Sequence, residues 1–115
     1  MSRAYPFPYG VIDGTSAPDG CNVDCFVLTS RPLRTGDVVE CDVAGLMEQF
    51  EDGDTDHNVL ASVVGEPTSV TAAAQATLTE FVHHVFDHVE GKEVRAGRFL
   101  GPESAAAYVA AHADA

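Results

Sequence analysis

Asp19 and Asp24 are the first residues in this chain whose types and spacing suggest chemistry. Asp19 lies in a polar loop closed by Pro18, Asp19 and Gly20, and Asp24 stands at the entrance of residues 22–28, a hydrophobic run that reads as a buried strand. A carboxylate on a loop and another on the strand behind it can converge on one point, and a hard cation such as Mg2+ takes oxygen ligands arranged in that way. The bland reading of the same residues is a hairpin with solvated acids. A second acidic stretch, residues 51–56, holds four carboxylates in six positions and reads as a hairpin tip, open to the same two interpretations. His84 and His88 have the i, i+4 spacing of a zinc pair beside His83, but exposed helix histidines account for the pattern more simply. Cys21, Cys25 and Cys41 could hold a soft metal, although their spacing is not that of a zinc knuckle.

The elements that must position these groups follow from periodicity. Tyr5, Pro6, Tyr9 and Gly10 form an aromatic and proline turn that leads into a short extended piece over residues 10–13. Residues 36–64 carry an extended pattern: Val38, Val39, Cys41, Val43, Leu46 and Met47 predict a strand after the turn at Gly36, and residues 58–64 predict its return. Thr68 and Ser69 can cap a helix running to about residue 90. Its apolar stripe is Leu78, Phe81, Val82, Val85, Phe86 and Val89, with Gly91 as the stop. Residues 92–100 read as extended, and Pro102 suits the first turn of an alanine-rich helix reaching about residue 111. The order predicts an α+β fold, a small antiparallel sheet or barrel with helices packed on it, in one domain over residues 1–115.

Charge narrows the function classes. Asp and Glu number 18 against six Lys and Arg, a formal net charge of −12. Such a chain repels nucleic acid and anionic membranes. The excess is spread along the sequence, as in the acidic, lysine-poor surfaces of halophiles, with an acidic metal site superimposed locally. Three cysteines are too few and too odd in number for a disulfide framework and are expected as reduced thiols. No charged n-region leads a long apolar run, so a soluble, cytoplasmic protein is expected.

Residues 5–29 resemble the signature region of the soluble, Mg-dependent inorganic pyrophosphatases. There an aromatic, proline, Tyr, Gly turn leads to Asp-x-Asp-Pro-x-Asp and a hydrophobic strand; here Tyr5, Pro6, Tyr9 and Gly10 are followed by Asp19, Cys21, Asn22 and Asp24. The first and last acids match, while Cys21 replaces the middle acid and Asn22 the proline. The resemblance implies an OB-like barrel or partial barrel with two packed helices, and a haloarchaeal member lacking the family's first strands. It implies Mg2+ as cofactor, with Asp19, Asp24, Glu51 and Asp56 at metal-ligand positions, Glu51 and Asp56 keeping the family's spacing of five. Tyr9 is the matching site tyrosine, and Cys21 occupies the position of the general base.

The departures set the expected activity. Asn58 stands where the family has a Lys, and Val85 and Phe86 where it has a Tyr and Lys pair. A thiol is a soft ligand, mismatched to Mg2+, and loss of a general base lowers a rate by roughly 10²–10⁴-fold. The resemblance therefore implies hydrolysis of diphosphate to phosphate that is weak or lost in this chain alone. The alternatives are an inactive partner subunit of the same fold and a metal-binding module. Expected partners are diphosphate and a second copy or companion chain, with no nucleic acid and no membrane.

Overall fold

The computed structural model describes residues 5–17, 20–84, 91 and 93–114. Among these lie β1 (Tyr9–Ile12), β2 (Val23–Val27), β3 (Cys41–Glu51), β4 (Asp54–Thr55), β5 (Asn58–Val63), α1 (Ala72–His84), β6 (Val94–Leu100) and α2 (Pro102–Ala111). No helix among the described residues is long and apolar enough to cross a membrane.

β3 is the spine of the sheet. It pairs antiparallel with both β5 and β6. β2 lies beyond β5, and β1 beyond β2. The result is the expected partial barrel with two helices, but the sheet is mixed, because β2 runs parallel to β5. Parallel neighbours need a long connection, and the loop over residues 28–40 together with the β3–β4 hairpin supplies one.

Strand alternation divides the core between the two helices. Val23, Cys25, Leu46, Val59 and Ala61 meet Ala105, Tyr108 and Val109 of α2. Phe26, Met47 and Leu60 meet Leu78, Phe81 and Val82 of α1. β5 is consequently buried along its whole length, which explains its continuous apolar run. At Gly45, beside an irregularity in the β3–β5 register, an added Cβ would lie 2.8 Å from the Leu100 carbonyl oxygen. Only glycine allows β3 to pass that close.

Two local expectations are corrected. The strand begins at Cys41, and Val38 is exposed in the preceding loop. Gly36 adopts φ 96°, and reciprocal hydrogen bonds between Arg34 and Asp37 close a turn that leaves Val38 exposed and Val39 half-buried, outside any strand. The cap of α1 is Thr71, whose Oγ1 accepts from Ala74 N at 3.1 Å, three residues beyond Thr68. Residues 85–90 of the expected helix, with Val85, Phe86 and His88, lie outside the described residues.

Candidate functional site

The site is built where β1 crosses the start of β2. Tyr9 pairs with Phe26 and Val11 with Asp24, so Tyr9 and Asp24 sit diagonally on one face of an antiparallel pair, within side-chain reach. The Tyr9 hydroxyl donates a hydrogen bond to the Asp24 carboxylate. Burial, then the charge and hydrogen bond of Asp24, then Tyr5 and Asp56, push the phenol far above its ordinary range. Tyr9 is thus a neutral donor in a field of negative charge. Its ring stacks on Tyr5 at 4.9 Å and 3° and leans on Phe26 at 4.9 Å, which fixes its direction while leaving 41% of its surface exposed to incoming solutes.

Asp56, on the other acidic segment, makes its charge felt at Tyr9. That segment turns through Asp52 and Gly53, with φ of 51° and 90°, the paired positive values of a two-residue hairpin turn. Glu51 ends β3 opposite Asp54 and beside Val94 of β6. Asp56 N donates to Gln49 O at 2.9 Å, holding the strand beyond the turn against β3.

Of the residues expected at the site, Tyr9 and Asp24 are paired, and the charge of Asp56 is felt at the phenol only as the smallest of the effects on it. Cys21 is exposed in the turn before β2, its carbonyl accepting from Ala17 N at 2.7 Å. Asp19 lies outside the described residues. Among the described residues no three His, Cys, Asp or Glu side chains are grouped closely enough to hold a metal ion. By donor type alone Asp24 and Asp56 suit a hard cation, since both offer carboxylate oxygens, whereas the Cys21 thiol does not.

The cationic side chains are largely committed elsewhere. Arg98 grips Glu48 with two side-chain hydrogen bonds of 2.9 and 3.0 Å. Arg31 pairs with Glu66 at 3.1 Å, and Arg95 lies over the Phe50 ring. Asn58 is buried, and its amide donates to Gln49 Oε1 at 2.7 Å and more weakly to Asp56 O at 3.4 Å. It therefore braces the hairpin from within.

Of the other constellations, the pair of His84 and His88 cannot be placed, because His88 lies outside the described residues. His83 Nε2 accepts from Ala96 N, joining α1 to β6. None of the three cysteines is in a disulfide. Burial, aided by Cys41 and Asp24, pushes the Cys25 thiol up to about 12, so it stays protonated at neutral pH. Cys41 is also raised, by burial and then by Asp42 and Glu66.

Thr15, His57 and Tyr108 are structural participants that sequence reasoning passed over. Thr15 is a buried polar residue within the loop, a property without a local signature. His57 could have been noticed from its place between Asp56 and Asn58, and Tyr108 from its i, i+4 spacing to His112 on an alanine-rich helix.

A partial barrel of this order, carrying a helix on each face, defines an OB-like class of fold. An inorganic pyrophosphatase structure from Coxiella burnetii shares it with a TM-score of 0.90 at 24% identity, covering 97% of this chain and 73% of that one. The Thermus thermophilus inorganic pyrophosphatase gives a TM-score of 0.86 at 27% identity, over 94% of this chain and 68% of that one. In sequence, the inorganic pyrophosphatase of Geobacillus stearothermophilus is 30% identical over 109 residues, 89% of this chain and 66% of the relative's own length. Residues 1–115 match the family described as inorganic pyrophosphatase, and the chain belongs to that family.

Proposed function

We propose that this protein is a Mg-dependent diphosphate hydrolase of weak activity. The observation that carries the proposal is the pairing of Tyr9 with Asp24 across β1 and β2, with the charge of Asp56 also felt at the phenol. In this reading Asp24 and Asp56 are cation ligands, completed by Asp19 and Glu51 on the strength of the resemblance. A bound Mg2+ would neutralise phosphate charge and lower the pKa of the attacking water. Tyr9 orients Asp24 and offers a hydroxyl toward a phosphate oxygen. Cys21 takes the position of the base and performs it poorly, because a thiol is a weak substitute for a carboxylate there.

The hydrogen bonds from Asn58 to Gln49 and Asp56 favour one second reading, an inactive partner subunit of the same fold. An amide turned inward to brace the hairpin cannot replace a phosphate-binding Lys. In either reading the protein is a cytoplasmic, salt-adapted member of the family, working as a homo-oligomer or with a companion chain. Among the described residues β1, β4 and β6 each pair with a single neighbour, and sheet edges invite further pairing.

Phosphate release from diphosphate with Mg2+, at low and at molar salt, tests the proposal. Slow release that disappears on chelation and in Asp24→Asn is the expected result. No release at any salt would leave the partner-subunit reading in its place.

A further inference from the structure

The end of α2 touches both acid-bearing segments. On one side it meets the loop ahead of β2. Ser16 N donates to His112 O at 2.9 Å and Asp114 N to Gly14 O at 2.8 Å. Thr15 and Ala113 form an antiparallel bridge, and Ser16 Oγ donates to Asp114 Oδ1 at 2.7 Å. The loop is pinned in turn to both strands of the site. Thr15 Oγ1 donates to Ile12 O at 2.6 Å and accepts from Val23 N at 3.0 Å, and Asn22 Nδ2 donates to Thr15 O at 2.9 Å.

On the other side α2 meets the turn that carries Asp56. The rings of Tyr108 and His112 lie 4.1 Å apart, and Tyr108 leans on His57 at 5.8 Å. His57 meets Phe50 edge-on at 5.7 Å and 87°. Its Nδ1 accepts from Gln49 N at 3.1 Å, and Gln49 O accepts from Asp56 N. An unbroken run of contacts therefore joins the Asp24 side of the corner to the Asp56 side through one helix end.

We propose that residues 108–114 are a strut that sets the separation of the two carboxylate segments before a cation arrives, with Tyr108, His112 and Asp114 as positioning residues. The inference rests on the cation site proposed above. Two acids on different elements repel, and a corner held only by them would open in the absence of the ion. Tying both segments to one rigid helix end keeps that repulsion from moving them. Groups that orient ligands without touching the ion commonly change affinity by about 10–100-fold. Asn22 joins the same scheme: where the resembled motif has a proline to stiffen the loop, this chain has a side-chain amide that ties the loop to Thr15.

The test is titration of Mn2+ against the full chain, followed by calorimetry, with Asp24→Asn as the site control and thermal melts alongside. Tyr108→Leu and the double variant Ser16→Ala, Asp114→Ala should each lose about tenfold in affinity while melting cooperatively. Tyr108→Phe, which keeps the ring contacts with His57 and His112, should lose less than Tyr108→Leu. Ser16→Ala alone, which removes one exposed side-chain bond and leaves the backbone bridge, should show a smaller loss in the same direction and serves if the larger changes unfold the chain. Wild-type affinity in the strut variants, with affinity lost in Asp24→Asn, would overturn the strut and leave the cation site standing. Equal affinity, or none, in wild type and Asp24→Asn would overturn the cation site and the strut with it.

Discussion

The acids Glu48 and Asp24 lie in opposite halves of the sheet and meet opposite surroundings. Glu48, on the β3–β6 side, is matched by a guanidinium: Arg98 donates from its side chain and its backbone N–H. Its carboxyl is held down to about 2, first by those side-chain hydrogen bonds, then by the backbone one, with smaller help from the charges of Arg98 and His57. Asp24, at the β1–β2 corner, hydrogen-bonds to a phenol, and Asp56 adds a second negative charge to the same neighbourhood. An acid answered by an arginine links two strands. Acids of like sign gathered around one hydroxyl create a field that a cation would relieve.

The largest effect expected at the acidic corner concerns Cys21. If the rest of the site is intact, Cys21→Asp should raise phosphate release by about 100-fold, the lower end of what a general base contributes. No gain in a Mg-dependent assay would mean that the missing phosphate-binding cations, at Asn58 above all, limit the rate. The next effect separates the two acids directly. Asp24→Asn should lower Mn2+ affinity by at least about tenfold, since removal of a ligand should weaken binding at least as much as the loss of a supporting group, while Glu48→Gln should leave it unchanged. Similar losses in both variants would break the contrast and point to a diffuse field of acids.

Much of this arrangement was legible in the sequence, and the reasons differ by element. β2 and β5 stood out because a strand covered on both faces, or nearly so, has few polar positions to interrupt it. α2 was announced by Pro102, which fits a first helical turn. The hairpin at Asp52 and Gly53 was marked by a dipeptide suited to positive φ. Val38 and Val39 misled because β-branched side chains favour strands only where a neighbouring strand exists to receive them. The parallel pairing of β2 with β5 was hidden for the same reason: register and direction are properties of two distant segments. At the site, Tyr9, Asp24 and Asp56 could be proposed from motif layout, whereas the tie between Ser16 and Asp114 joins the two ends of the chain and leaves no local trace.

Salt should act on the two regions in opposite senses, with the acidic excess dominating. The chain carries a formal net charge of −12, and counterions screen the resulting self-repulsion, which otherwise opposes the compact state. The melting temperature should rise between dilute buffer and molar KCl by about 5 °C or more, the shift that roughly 1 kcal/mol produces in a domain of this size. The pair of Glu48 with Arg98 would weaken over the same range, but a single exposed pair is a minor opponent. A flat or falling profile would show that the acids are already compensated locally, as Glu48 is, and would erase the distinction between the two regions.

The smallest effect belongs to Glu48 itself and has a defined direction with pH. Its folded-state value is depressed from 4.5 to about 2, so the native state prefers the ionised form more strongly than the unfolded chain does. The stabilisation is therefore fully present above pH 4.5 and is lost as pH falls toward 2. Arg98 keeps its charge throughout, because the same pair raises it further above its ordinary range. Glu48→Gln removes the titrating group and retains most of the shape. In acid-unfolding curves followed by circular dichroism, the variant should be slightly less stable than wild type at pH 6, and the gap should close between pH 4.5 and 2. Because Arg98 is largely solvent-exposed, water screens the pair and the gap at pH 6 should be modest. A gap that persists unchanged to pH 2 would show that Glu48 acts through packing against Gly97, with its charge incidental. The contrast with Asp24 would then be one of shape, since neither acid would owe its place to the sign of its surroundings.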